Sequence, residues 1–257
     1  MGNNASLFHG EGFEFAELRE YVYGDDVRKI DWKTTAKLGK PFIKIYREER
    51  ELNVVTAVMM GGSTYFGTVR QKSDVMAELV ALIGFSAVKN ADLFSNIIFA
   101  DRLYRMGKPN NKFFSIQEAV TQLEGFQMLG KKSDYRAFFD TLFKRIKRKS
   151  LLFIISDFVG EIDLGLLSKK HDVVALMVRD KFEEHPKELG QIRLLDLESH
   201  KSFEGNIGGA EIASYQKALQ LNDEKLYAHF KKNSIRFIKV YTDEEVYLKL
   251  AKLLGGR

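Results

Sequence analysis

Residues 52–64 read LNVVTAVMMGGST, and residues 72–89 read KSDVMAELVALIGFSAVK. The first stretch is a run of Val, Ala and Met that stops at two glycines and two hydroxyl residues. A short, nearly continuous apolar run bounded by turn residues is the pattern of a strand buried on both faces of a parallel sheet. The second stretch has helical spacing and is apolar almost all round, which predicts a central, buried helix. The same alternation recurs outward from there. Apolar runs stand at Asn96–Ala100, Leu151–Ser156, Val173–Val178 and Arg236–Val240, and helical patterns at 115–124, 134–148, 209–232 and 243–254 separate or follow them. Ser115-Ile-Gln-Glu118 and Thr242-Asp-Glu-Glu245 match capping boxes, and Gly255-Gly256 mark a helix stop. This order predicts an α/β fold, an open, mostly parallel, Rossmann-like sheet with helices on both faces. Ligands of such sheets bind at the carboxyl ends of strands, where the strand order reverses. With 52–60 and 151–156 flanking that point, the loops that matter are Met59–Thr64 and Ser156-Asp157-Phe158.

Composition narrows the class. The chain has 257 residues, which against ~150 residues per domain leaves one large domain or two small ones open. It carries 40 Lys and Arg against 35 Asp and Glu, a net charge of +5, and is 45% hydrophobic. That is ordinary globular composition and excludes disordered, collagen-like and fibrous classes. The absence of cysteine excludes a disulfide scaffold, thiol catalysis and thiolate zinc sites, and suits a reducing cytoplasm. The longest apolar stretch, near Leu79–Val88, falls short of the ~20 residues of a membrane span. No secretory signal precedes the first folded-looking segment, so a cytoplasmic protein without a direct membrane span is expected. A mild charge spread over both signs does not call for a nucleic-acid partner. Met1–Ser6 fits a myristoylation pattern and Asn4-Ala5-Ser6 a glycosylation acceptor; both patterns are too short to carry weight. Residues 1–50 are charged and turn-rich, with Gly10, Gly12, Gly24 and Gly39. From Leu52 onward strands and helices alternate, which divides the chain into an extension over 1–50 and a main domain over 51–257.

The switch-point loops offer limited chemistry. Gly61, Gly62, Ser63 and Thr64 could bring a backbone close to a phosphate. The loop is not G-x-G-x-x-G and no P-loop lysine follows it, so it reads as a tight strand-to-helix turn that needs glycine for its backbone geometry. Asp157 is a single carboxylate, whereas Mg2+ takes about six oxygen ligands. Ser63, Ser133 and Asp157 would supply three, with water for the rest; equally, Asp157 reads as a cap on the following turn. The histidines His9, His171, His185, His200 and His229 have no zinc spacing and read as surface residues. No G-x-S-x-G elbow is present. Lys144–Lys149 is the densest basic run and reads as the solvated C-terminal end of a helix. Its alternative reading is a contact with nucleic acid or anionic lipid, although no aromatics are interleaved for stacking.

The N-terminal segment is the most specific feature. It contains Glu17-Leu18-Arg19-Glu20-Tyr21, Gly24-Asp25-Asp26-Val27-Arg28-Lys29-Ile30-Asp31-Trp32 and Thr35-Ala36-Lys37. Arg28 and Asp31 are three apart, so one helical turn would pair them. Glu17, Arg19, Asp25, Asp26, Arg28 and Asp31 then read as an ion-pair network that fixes a non-repetitive segment against the sheet, or as charges that face a partner. Trp32, the only tryptophan, is expected to anchor the segment on the core. Pro41–Tyr46 alternates like a strand and leads into the first sheet strand.

This pattern resembles the hallmark of a bacterial and archaeal family, number fifty-eight among the domains of unknown function, E-x-R-x-Y-x-x-G-D-D-x-R-x-I-D-W-x-x-x-A-[RK]. In that family the hallmark precedes a variant von Willebrand factor A domain. Phe66-Gly67, Ile155-Ser156-Asp157-Phe158, Asp180, Pro186 and Gly190 also resemble its landmarks. The von Willebrand A resemblance implies a divalent-metal site built from D-x-S-x-S, a threonine and a final aspartate. Here those positions fall on Met59, Gly61 and Ser63, on Ser133, and on Asp157. A thioether in place of the first aspartate removes the charge that holds a hard cation, so the resemblance implies a degenerate, metal-free site and no cofactor. It also implies a non-enzymatic interaction module that partners a MoxR-type AAA+ ATPase in chaperone-like maturation or stress pathways. The alternatives are a metal-assisted phosphate-ester hydrolase at the crevice and nucleic-acid binding through 144–149.

Overall fold

The protein is described here from a computed structural model, which describes residues 14–47, 51–187, 190–198 and 201–255. The chain divides into two compact units, Phe8–Leu52 and one that takes in Asn53–Arg257. In the smaller unit, β1 (Glu14–Glu20) and β2 (Phe42–Arg47) form an antiparallel ribbon, and α1 (Trp32–Leu38) lies between them in sequence. The predicted strand at 41–46 is thus paired within this ribbon. Residues 1–13, with the two modification patterns and His9, lie outside the described residues, as does His200.

The larger unit is built on a six-stranded sheet. Its strands are β3 (Asn53–Met59), β4 (Leu93–Phe99), β5 (Leu103–Met106), β6 (Leu151–Ser156), β7 (Asp172–Arg179) and β10 (Arg236–Tyr241). The order is β10-β7-β6-β3-β4-β5, parallel except for β5 at the edge. Strand order reverses between β3 and β6, which pair directly, so the carboxyl ends of these two strands open the crevice predicted from sequence.

Alternation along each strand serves both faces of the sheet. Val55, Ala57 and Met59 of β3, Leu152 and Ile154 of β6, and Val173, Ala175 and Met177 of β7 join one buried cluster. Side chains of α4 (Tyr135–Arg145), α5 (Gly165–Lys170) and α7 (Gly209–Lys232) complete it. The opposite face is covered by α2 (Lys72–Lys89), which contacts α3 (Phe113–Glu124) and α8 (Val246–Gly255). The short helix α6 (Lys181–Glu184) and a hairpin of β8 (Gly190–Leu195) with β9 (Ser202–Ile207) follow β7.

Three local predictions are corrected. The helix predicted at 115 starts at Phe113, and the Ser115 hydroxyl donates to the Lys112 carbonyl instead of capping. The last helix starts at Val246, and Thr242, expected to accept a cap bond from the helix start, instead donates its hydroxyl to Asp180. Helix α4 ends at Arg145, so only Lys144 and Arg145 of the basic run lie in its last turn.

Candidate functional site

Main chain leaves β3 at Met59 and turns through a short 3-10 segment, Gly62–Tyr65. Glycine is required here for close approach. A Cβ on Gly61 would lie 2.0 Å from the Ser133 hydroxyl, and one on Gly62 would lie 2.4 Å from the Leu197 carbonyl oxygen. Gly61 itself has a φ of −79°, open to any residue, so the predicted need for glycine's backbone freedom is replaced by a steric one. Two of the loop's amides are spent within the protein, and so are not offered to a phosphate: Gly62 N–H donates to the Lys131 carbonyl and Thr64 N–H to the Gly61 carbonyl.

Opposite this turn, β6 ends in Ser156 and Asp157. Phe158 adopts a φ of 51°, a strained value for a residue with a side chain. Its ring is fully buried edge-on against Phe230, and its carbonyl accepts from Asn222. The left-handed turn therefore pins Asp157 inward, 2% exposed.

Both oxygens of Asp157 are engaged. Oδ2 accepts from the Ser63 hydroxyl at 2.6 Å and from Lys72 Nζ at 3.1 Å; Oδ1 accepts from the Tyr135 hydroxyl at 3.0 Å. Tyr135 also meets the Ser156 hydroxyl at 2.7 Å. Lys72 is completely buried and makes a second ion pair, 2.6 Å to Glu183 Oε1. Glu183 is held in turn, because its Oε2 accepts from the Asp180 amide. Burial alone would push Asp157 up, but the Lys72 ammonium, the Ser63 hydroxyl and Arg179 outweigh it and hold the carboxyl at about 2. Burial opposes the charge on Lys72 as well; Asp157 and Glu183 more than offset it and raise the ammonium above its ordinary range.

Above these groups lies a crevice of about 710 Å3, with Ser63, Ser133, Asp157, Arg179, Glu198 and Tyr215 among its walls. Arg179, at the end of β7, is 1% exposed and donates from Nη2 to Asp223 at 3.0 Å. Lys239 bridges Asp223 and Glu184 at 2.8 and 2.6 Å. The β8–β9 tip reaches the same place: the Leu197 carbonyl accepts from Gly130 N–H, and Glu198 Oε1 lies 3.4 Å from both the amide and the hydroxyl of Ser133.

The structure thus brings together Gly61, Ser63, Ser133 and Asp157 of the sequence-derived set. Met59 is fully buried in the hydrophobic cluster and belongs to the core. Lys72, Tyr135, Arg179, Glu183 and Glu198 were not singled out from sequence. Lys72 alone left a signal, as a lysine opening an almost wholly apolar helix. Among the described residues, no group of three or more His, Asp or Glu side chains is placed to hold a metal ion. His171 is 3% exposed, which corrects its reading as a surface histidine.

The charged N-terminal motif pairs differently from the sequence expectation. Arg19 meets Asp25 at 2.9 Å, and Arg28 grips Asp26 through two contacts of 3.0 Å. Asp31 instead caps α1 by accepting from Lys33 N–H and the Thr34 hydroxyl, with Lys44 at 3.2 Å. An aspartate at an N-cap points back over the first turn, which removes it from Arg28. Glu17 and Tyr21 flank the pairs on and just after β1, and Gly24 supplies a φ of 104° for the turn between them. Trp32 is 70% exposed, so it does not anchor the segment on a core.

A family profile described as "Protein of unknown function DUF58" matches residues 17–224. The chain belongs to this family. It is 25% identical over 265 residues to the uncharacterized protein Rv1480 of Mycobacterium tuberculosis, covering 100% of this chain and 83% of the relative. The same figures hold for the uncharacterized protein Mb1516 of Mycobacterium bovis. Among solved structures, it is similar to the conserved hypothetical protein BatB of Bacteroides thetaiotaomicron, with TM-score 0.48, 11% identity and coverage of 80% of this chain and 100% of that one. It is also similar to the VWA domain of SpRpn10, with TM-score 0.42, 6% identity and coverage of 80% and 95%. The DUF58 chain described here has a mostly parallel α/β fold.

Proposed function

We propose that this DUF58 protein is a non-enzymatic protein-docking module whose crevice is a degenerate adhesion site working without a metal ion. The observation that carries this reading is the buried Lys72 ammonium, 3.1 Å from Asp157. It supplies, from within the chain, the positive charge that a cation would otherwise bring to that carboxylate. The remaining positions do not fit a hard divalent ion, which needs several oxygen ligands. Met59 offers a thioether buried in the core, Gly61 offers no side chain, and both oxygens of Asp157 already have donors. The same geometry supports a non-catalytic role. A carboxyl held at about 2 is a poor proton acceptor near neutral pH, so it leaves the Ser63 hydroxyl unactivated.

The family resemblance supplies the partner class: a cytoplasmic MoxR-type AAA+ ATPase, with the ATPase providing the energy. The test has two arms. Thermal melts with millimolar Mg2+, Mn2+ and Ca2+ are expected to show no shift, whereas a ligand at 100 times its dissociation constant would add about 2.7 kcal/mol. A clear shift abolished by Asp157→Ala would overturn the metal-free reading. Co-elution with a MoxR-type ATPase in the presence of nucleotide is expected, and failure to co-elute would overturn the partner assignment.

A further inference from the structure

We propose that the β8–β9 tip is a built-in occupant of the crevice, and that an acidic peptide segment of a partner binds by exchanging its carboxylate for that of Glu198. The proposal rests on the docking reading above and names the chemistry of the docked segment. Three observations carry it.

The first is that the crevice already accommodates a carboxylate. Glu198 Oε1 faces the Ser133 amide and hydroxyl, and lies 3.2 Å from where a Gly61 Cβ would stand. The two glycines leave the room: a side chain on Gly61 would press on Ser133 and Glu198, and one on Gly62 would collide with Leu197.

The second is that this occupant is held weakly. Both contacts of Glu198 with Ser133 are 3.4 Å, well beyond the ~2.9 Å of a good N–H···O bond. Asp157, which lines the same crevice, is by contrast held by three donors at 2.6, 3.1 and 3.0 Å. One carboxylate is built in and the other is poised to leave.

The third is unspent donor capacity. Arg179 is 1% exposed on the crevice wall, and its Nε has no hydrogen-bond partner among the described residues. A buried guanidinium with an unused N–H favours an incoming oxyanion. Exchange also answers the charge balance. Asp157 and Glu183 are matched in part by Lys72, and Asp223 and Glu184 by Arg179 and Lys239. Adding a further carboxylate would overload these cations, but swapping one for Glu198 leaves the net charge unchanged. The rim favours an apolar residue beside the acid. Val159, Leu195 and Tyr215 line the crevice and are 50%, 56% and 47% exposed. The tip itself reads Leu195-Asp196-Leu197-Glu198.

The chain's own sequence supplies the probe. A fluorescent peptide of residues 190–198, GQIRLLDLE with an amidated end, is titrated into the full chain by anisotropy in the presence of chelator. The wild type should bind it weakly. Glu198→Gln and Glu198→Ala should tighten it about tenfold, the gain expected if the docked tip leaves only about a tenth of molecules open. Ser133→Ala in the Glu198→Ala background should reverse most of that gain, and the peptide ending in Gln should lose affinity for every variant. Equal affinity for wild type and both Glu198 variants, or for the Glu and Gln peptides, overturns the exchange. Absence of binding to any variant does so too. Binding seen only when Mn2+ replaces chelator would instead overturn the metal-free docking reading on which the exchange rests.

Discussion

Replacing Lys72 by Met removes the ammonium and keeps the helical stem. Asp157 would remain at 2% exposure with only the Ser63 and Tyr135 hydroxyls, and Glu183 would lose its 2.6 Å partner. The carboxyl of Asp157 is held at about 2 against an ordinary 3.8. At about 1.36 kcal/mol per pH unit, that gap is worth roughly 2 kcal/mol at neutral pH. This is the least the substitution should cost if Lys72 supplies most of the gap. The share that falls on Asp157 is bounded. A stranded carboxylate can take up a proton, which from an ordinary carboxyl at pH 7 costs about 4 kcal/mol beyond that gap. Breaking a buried pair from one side typically costs about 3–5 kcal/mol, inside that window. We expect about 4 kcal/mol, a fall in Tm of about 8–16 °C for a unit of this size.

Acid should change the comparison. In the wild type the Asp157 carboxyl is depressed, so its stabilisation is present above 3.8 and is lost as pH falls toward about 2. In Lys72→Met burial is opposed only by the hydroxyls and Arg179, so its titration moves up. The gap between variant and wild type therefore narrows as pH drops from 7 toward 4. Urea unfolding of both proteins at the two pH values measures this directly. The double variant Lys72→Met/Asp157→Asn should recover more than half of the loss, because the fully buried charge of Asp157 is gone and Glu183, 17% exposed, keeps its bond from the Asp180 N–H. A loss under about 1 kcal/mol that is the same at both pH values would refute the assignment of Lys72 as the site's internal cation, on the scale for exposed pairs. A double variant as damaged as the sum of its parts would refute it equally.

Three further outcomes are expected. Gly62→Ala places a methyl 2.4 Å from a backbone oxygen of the β8–β9 tip; hydrogen exchange at Gly130, whose N–H donates to that oxygen, should quicken, and unchanged protection would contradict the close approach. Burial, with Lys170 nearby, pushes His171 down to about 4 from 6.5, so the neutral ring favours the folded state above 6.5 and this contribution is lost as pH falls toward 4. His171→Leu should flatten the stability profile between those values, and an unaltered slope would count against a buried neutral imidazole. Trp32, 70% exposed, should be readily quenched by iodide, whereas shielded emission would mean that another surface covers it.

The strands of the main sheet were legible because a parallel strand buried on both faces has to be apolar throughout. Val54 to Met59 and Leu152 to Ser156 are almost fully buried, and no competing pattern explains such runs. Edge and excursion elements carry no such constraint. Strand β5 reads LYRM, and the β8–β9 hairpin carries charges and glycines along its length, so neither stood out. Helix starts failed where the hydroxyl expected to accept a cap bond is turned to another partner. Thr242 matches a capping box in sequence, yet its hydroxyl lies on Asp180, 62 residues away along the chain.

The candidate site divides along the same line. Ser63 and Asp157 could be found because topology places the ends of β3 and β6 side by side, and a strand end is visible in sequence. Glu183 and Glu198 could not, since each meets its partner across 65 residues or more, and Lys72 stood out only as a lysine opening an apolar helix, with its partner 85 residues away. Sequence also misassigned Met59, whose position suggested a lost ligand; alternation along β3 turns that side chain into the core, on the face shared with Val55 and Ala57. The two facts belong together. Once the strand end contributes a thioether to the core, β3 itself offers no carboxylate to set beside Asp157. A lysine that is buried anyway at the start of α2 can then satisfy Asp157 and Glu183 at once. A charge fixed by the covalent chain cannot be chelated or exchanged, which leaves Glu198, 3.4 Å from the Ser133 amide and hydroxyl, as the carboxylate whose exchange the peptide titration tests.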